Sequence, residues 1–228
     1  MIKKENLVFL HGWAKRKEDY ARLLEFLSEK YTVYALNLPG FGETPIDRPY
    51  NLADYAKYVT DFIKDKKIKQ VILAGHSNGG RIALKIALVQ SNLISKLILI
   101  DSGGIERGSW NTKMVKLVTK IVSCQKFLPE KGRGILRQLL GSKDYLAASP
   151  VLRETLKNMV NENLEPELGK IKTPTLIIWG REDHTTPLWQ GELMRKLIKN
   201  SQLKIIEGDH GVPYRKPEEV AKIICSQF

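Results

Sequence analysis

Val71-Ile-Leu-Ala-Gly-His-Ser-Asn-Gly-Gly80 decides how the rest of the chain is read. An apolar run of β type, Val71–Ala74, stops at Gly75. An amphipathic pattern of helical period follows from Arg81 to Gln90. Between them sits G-x-S-x-G, in the strand-to-helix setting that the motif requires. A residue at so sharp a turn is held in a strained backbone conformation, and only small neighbours let strand and helix approach. Gly75 and Gly79 meet that need. Ser77 is expected to stand exposed at the carboxyl end of its strand, above a helix amino terminus that favours developing negative charge. A glycine-rich turn can also hold an idle serine, so the partners elsewhere in the chain decide.

Outward from this turn, short apolar runs recur at Leu7–Leu10, Thr32–Leu36, Lys96–Ile100, Thr175–Trp179 and Leu203–Ile206. Helical patterns separate them, over residues 18–29, 51–66, 188–199 and 217–226, with Asn51 as the cap of the second. Strands that are apolar throughout and alternate with helices imply a parallel sheet covered on both faces. The expected fold is α/β, with six mostly parallel strands. The alternation breaks over residues 105–168, which carry helical patterns and no convincing strand. Residues 1–104 and 169–228 are therefore read as the core, and 105–168 as an inserted helical cap.

The 228 residues suit one domain with such an insertion, and 43% hydrophobic residues suffice for a full core. No apolar run is long enough to span a membrane. The opening Met1–Asn6 lacks the apolar region of a signal peptide, and Cys124 and Cys225 show no metal-ligand spacing, so a reducing cytoplasm is expected. The net charge is +12. Most lysines fall on polar faces of helical patterns, so no nucleic-acid partner is read from it.

In open α/β sheets ligands bind beyond the carboxyl ends of the strands. His11-Gly-Trp13, Pro39-Gly-Phe-Gly42, His76-Ser-Asn78, Asp101-Ser-Gly103, Arg181-Glu-Asp-His184 and Gly208-Asp-His-Gly211 all fall there. A serine hydroxyl needs a base. His210, in a glycine-flanked loop after the last strand, is the candidate; His76, His11 and His184 are assigned supporting or peripheral places. The base needs a carboxylate to fix its tautomer. Asp183 is the candidate, with Asp101 as competitor and Glu182 and Asp209 as solvated or loop residues. The backbone N–H groups of Trp13 and Asn78 are the candidate oxyanion donors. His11, Gly12, Phe41 and Trp110 are placed around the substrate pocket. The scheme calls for no metal and no organic cofactor.

These segments together make the chain resemble the α/β-hydrolase superfamily, in its branch of serine esterases, C–C hydrolases and haloperoxidase-like enzymes. The marks are His11-Gly-Trp13, Leu38-Pro-Gly-Phe-Gly42, Gly75-His-Ser-Asn-Gly79, Gly180-Arg-Glu-Asp183 and Gly208-Asp-His210. The resemblance implies a Ser-His-Asp hydrolase acting on carboxylic esters through an acyl-enzyme on Ser77. A C–C hydrolase or lyase with the same residues, or a non-catalytic ligand-binding relative, is the alternative. Many relatives begin with an antiparallel hairpin for which Met1–Asn6 leaves no room, so one sheet edge is less protected and a monomer or homodimer is expected.

Residues 107–143 carry nine basic side chains, Arg107, Lys113, Lys116, Lys120, Lys126, Lys131, Arg133, Arg137 and Lys143, against the single acid Glu130. A solvated amphipathic cap explains this. So does attraction of an anionic ester or an acidic carrier protein, and His-Gly-Trp with Leu-Pro-Gly-Phe-Gly is also similar to the pimeloyl-carrier-protein methyl ester esterases.

Overall fold

The computed structural model describes residues 4–105 and 148–227. Six parallel strands form one sheet in the order β2-β1-β3-β4-β5-β6. They are β1 (Asn6–Leu10), β2 (Thr32–Leu36), β3 (Val71–His76), β4 (Ile94–Ile100), β5 (Thr175–Gly180) and β6 (Ser201–Ile206). The helices are α1 (Ala21–Ser28), α2 (Leu52–Asp65), α3 (Asn78–Val89), α4 (Pro150–Val160), α5 (Leu188–Leu197), α6 (Val212–Arg215) and α7 (Pro217–Gln227). The fold is that of an α/β hydrolase, as expected from the alternation of apolar runs and helices.

Side chains along each strand alternate between two cores. Leu7 and Phe9 join Ile72, Ala74, Ile98 and Ile100 on the face covered by α1 and α7. Val8 and Leu10 join Leu73, Leu97, Leu99, Ile177 and Trp179 on the face covered by α2, α3 and α5. Burial on both faces is why the central strands are apolar at every position. Asn51 caps α2 as its sequence implies: its side chain accepts from Asp54 N–H at 2.9 Å, and Asp54 accepts from Asn51 N–H at 2.9 Å.

β4 and β5 are neighbours although α4 and all of residues 105–148 lie between them in sequence. Just past β4 the Gly104 carbonyl accepts from Leu164 N–H at 2.9 Å, and Ile105 beside it is buried in the core. Met159, Leu164 and Leu168 are wholly buried in the main core. Arg81, buried on α3, donates to the carbonyls of Met159 and Glu162 at 2.8 and 2.9 Å, placing a cation at the C-terminal end of α4 where the helix dipole favours it. Thr155 accepts from Tyr50 N–H at 3.0 Å and fixes α4 to the loop before α2. The basic stretch 107–143 and Trp110 lie outside the described residues.

Candidate active site

The turn after β3 has the conformation its glycines imply. Ser77 has φ 53° and ψ −114°, in the left-handed range that a side-chain-bearing residue rarely adopts. Its N–H donates to Ile100 O at 3.0 Å, and its carbonyl accepts from Gly103 and Arg81 N–H at 2.9 and 3.1 Å. The strain is therefore held by β4 and by the first turn of α3. α3 starts at Asn78, three residues before its apolar pattern begins. Gly79 shows why the helix opens on glycines: a β-carbon there would lie 2.2 Å from Leu10 O, so the helix can sit against β1 only without one.

Three side chains from three strand ends meet at this turn. Ser77 Oγ lies 2.9 Å from His210 Nε2, and His210 Nδ1 lies 2.7 Å from Asp183 Oδ2. Asp183 is buried, and its Oδ1 accepts from the N–H groups of Thr185 and Thr186 at 2.7 and 2.9 Å. The Thr186 hydroxyl reaches Oδ2 at 2.7 Å. Burial alone would push the Asp183 carboxyl up, but the bonds from His210 and Thr186 outweigh it and hold it below the usual range. An ionised Asp183 accepts from His210 Nδ1–H, which leaves Nε2 as the lone pair facing the Ser77 hydroxyl.

The loop after β1 packs against Ser77. A β-carbon on Gly12 would lie 3.3 Å from Ser77 Cβ and 2.9 Å from His76 Nδ1. Trp13 follows directly and stacks edge-on against Phe41, with ring centroids 5.0 Å apart. Asn78 opens α3, so its N–H is among those that have no partner within the helix. His11 is fully buried. Leu38 N–H donates to its Nε2 at 2.9 Å, so Nδ1 carries the proton and donates to Gly12 O at 2.8 Å. It ties the Gly12 loop to the Leu38–Gly42 loop, and burial holds it below its ordinary pKa.

His76 points away from Ser77 into the body. Its Nε2–H donates to His210 O at 2.9 Å, and Nδ1 accepts from the Tyr20 hydroxyl at 2.7 Å. The same hydroxyl accepts from Gly12 N–H at 3.1 Å. Burial, with His210 beside it, pushes His76 down to about 3, so the ring is neutral. The chain Gly12, Tyr20, His76, His210 thus joins the loop after β1 to the loop after β6. Glu182 and His184 are exposed, and Asp209 pairs with Arg215.

Among the described residues, His76, Asp101 and His210 have donor atoms within 4.8 Å of one another, close enough to hold a metal ion. The ring nitrogens of both histidines are already engaged, and a cation there would break the bonds from His210 to Ser77 and Asp183. Tyr20 and Thr186 were not singled out by sequence reading as site residues. Tyr20 reads as one more apolar position of the helical pattern over residues 18–29, and lies in the turn that precedes α1. The turn carried a signal, because an aspartate side chain accepts from backbone two residues on, as Asp183 does from Thr185, but nothing in it singles out the Thr186 hydroxyl.

A parallel sheet bearing a strained serine at a strand-to-helix turn, with a histidine and an aspartate from the next strand ends, is the architecture of a hydrolase. Residues 7–223 match the family described as "Alpha/beta hydrolase family", and the chain belongs to it. It is 28% identical to the "uncharacterized hydrolase YugF" of Bacillus subtilis (strain 168), over 97% of this chain and 89% of that protein. It is 27% identical to a pimeloyl-[acyl-carrier protein] methyl ester esterase of Pseudoalteromonas atlantica, over 92% and 88%. The crystal structure of a membrane phospholipase A superposes with a TM-score of 0.79 at 29% identity, covering 99% of this chain and 79% of that one. Among the described residues no helix is long and apolar enough to cross a membrane.

Proposed function

We propose that the protein is a serine hydrolase that cleaves carboxylic esters. The observation that carries this reading is the continuous chain of two hydrogen bonds, 2.9 and 2.7 Å long, from Ser77 through His210 to Asp183. Ser77 Oγ attacks the ester carbonyl while His210 Nε2 takes its proton. The imidazolium is stabilised by Asp183. The oxyanion faces the N–H groups of Trp13 and Asn78, and losing one such donor typically costs about 3–4 kcal/mol of transition-state stabilisation. His210 returns the proton to the leaving alcohol, and water then releases the acyl group from Ser77 with His210 again as base.

Residues 105–168 are read as the cover of the site, with Leu152 of α4 as its described wall: a β-carbon on Gly40 would lie 2.5 Å from Leu152 Cδ2. Trp13 and Phe41, packed edge to face, are read as its apolar lining. Nine cations against one acid over residues 107–143 favour an anionic or carrier-borne ester, in keeping with the carrier-linked substrate named for the Pseudoalteromonas relative.

A fluorophosphonate probe is expected to label the wild type and not Ser77→Ala, and p-nitrophenyl esters of rising acyl length to be hydrolysed only by the wild type. An unlabelled wild type would instead support a non-catalytic ligand-binding protein. Labelling without turnover of any ester would turn the search to C–C bond substrates.

A further inference from the structure

Asp101 ends β4 with φ 43°, a left-handed conformation at a residue that has a β-carbon. It is fully buried. Its Oδ1 accepts from Gly180 N–H at 2.7 Å, while Oδ2 has no hydrogen-bond partner. Its carboxyl faces that of Asp183, and one oxygen lies within 4.8 Å of a ring nitrogen of both His76 and His210. The other titratable groups around it are Asp209 in the loop after β6, Tyr20 in the turn before α1, and Tyr214 on α6.

Two adjacent buried carboxyls do not both ionise near neutrality. The donors show which one keeps its charge. Asp183 receives two backbone N–H groups, the Thr186 hydroxyl and His210. Asp101 receives one N–H, from Gly180, on Oδ1. The shared proton therefore belongs on Oδ2 of Asp101. The Thr186 hydroxyl has one proton for two acceptors, Asp101 O at 3.0 Å and Asp183 Oδ2 at 2.7 Å. The shorter contact is the one to Asp183, so the hydroxyl proton points there.

We propose that Asp101 is a positioning residue that works as a neutral carboxylic acid, its Oδ2–H bracing the Asp183 carboxylate so that a single negative charge stands behind His210. This rests on the assignment of Ser77, His210 and Asp183 made above. The electrostatics agree: burial first, then the charge of Asp183, push the Asp101 carboxyl up to about 8. Above that pH a second charge faces Asp183 and loosens its hold on His210.

Asp101→Asn keeps the shape and gives the same side of the carboxyl a donor that cannot ionise. At about pH 7 its kcat on p-nitrophenyl butyrate is expected to fall by no more than about fivefold, whereas Asp101→Leu falls by about fiftyfold with KM little changed. The wild-type kcat profile is expected to drop above about pH 8, and the Asn profile to lack that drop. Stability gives a readout free of catalysis. A carboxyl whose folded pKa is raised stabilises the fold at low pH, and that contribution is lost as pH climbs towards the folded value. The melting temperature of Asp101→Asn relative to wild type should therefore rise steadily from about pH 5 to about pH 8. A flat difference, or an Asn variant as inactive as Asp183→Asn across the whole range, overturns the proposal. A wild type that hydrolyses no ester defeats the functional reading alone, because the melting series still decides the state of Asp101.

Discussion

At the scale of single residues, the site is a problem of placing protons. Three of its groups have tautomers set by partners that act only one way: His11 by Leu38 N–H, His76 by His210 O, and His210 by the carboxylate of Asp183. Thr186 is the least obvious member. Its hydroxyl reaches Asp183 Oδ2 and lies 3.2 Å from His210 Nδ1. A hydrogen bond to a charged group is worth roughly 1.5–3 kcal/mol. Thr186→Val keeps the branched shape and both backbone donors while removing that hydroxyl. Its kcat on p-nitrophenyl butyrate is expected to fall about 10- to 100-fold with KM within about twofold. Single-turnover acylation of Ser77 should slow by the same factor. That Ser77, His210 and Asp183 lie together at the strand ends was legible in the sequence, because each follows an apolar run in a glycine-marked turn. The ionisation of Asp101 and the hydroxyl of Tyr20 were not, because both depend on neighbours brought from distant strands.

At the scale of elements, the close approach of α3 to β1 sets the site. Gly79 is pressed against Leu10 O at 2.2 Å and His11 O at 2.7 Å, measured to the β-carbon it lacks. These contacts are backbone on both sides and cannot rotate away. Gly79→Ala is expected to destabilise the fold by about 3 kcal/mol or more in urea unfolding. It should also push the Gly12–Trp13 loop off the head of α3. A β-carbon on Gly80 would meet the Ser102 side chain at 2.3 Å and backbone only at Gly75 O, 3.1 Å away, so Gly80→Ala should cost less. The same glycines hid the start of the helix: Asn78-Gly-Gly reads as a turn, yet α3 begins there. β6 was likewise read short, from Leu203, because Gln202 is exposed at the sheet edge and breaks the apolar run.

At the scale of the whole molecule, the charge is the feature least explained by folding. The net charge is +12, and an anionic substrate would feel it over a distance that salt controls. The screening length falls from about 30 Å at 0.01 M to about 8 Å at 0.15 M ionic strength. Across that range kcat/KM for a carrier-borne or dicarboxylic monoester is expected to fall severalfold, while that for a neutral p-nitrophenyl ester stays level. Equal salt dependence for both would remove the case for an anionic substrate. The six strands were legible because burial on both faces makes them continuous apolar runs. Their lateral order was not, because parallel strands joined by helices carry no pairing signal between sequence neighbours. β4 and β5 pair across the longest gap in the chain.

Across that gap the described ends are fastened more than once: Leu164 N–H to Gly104 O, Arg81 to the carbonyls of Met159 and Glu162, and Met159, Leu164 and Leu168 sunk in the core. Side chains at these positions answer to the sheet before they answer to any ligand. A change at Met159 or Leu164 is therefore felt first as lost stability.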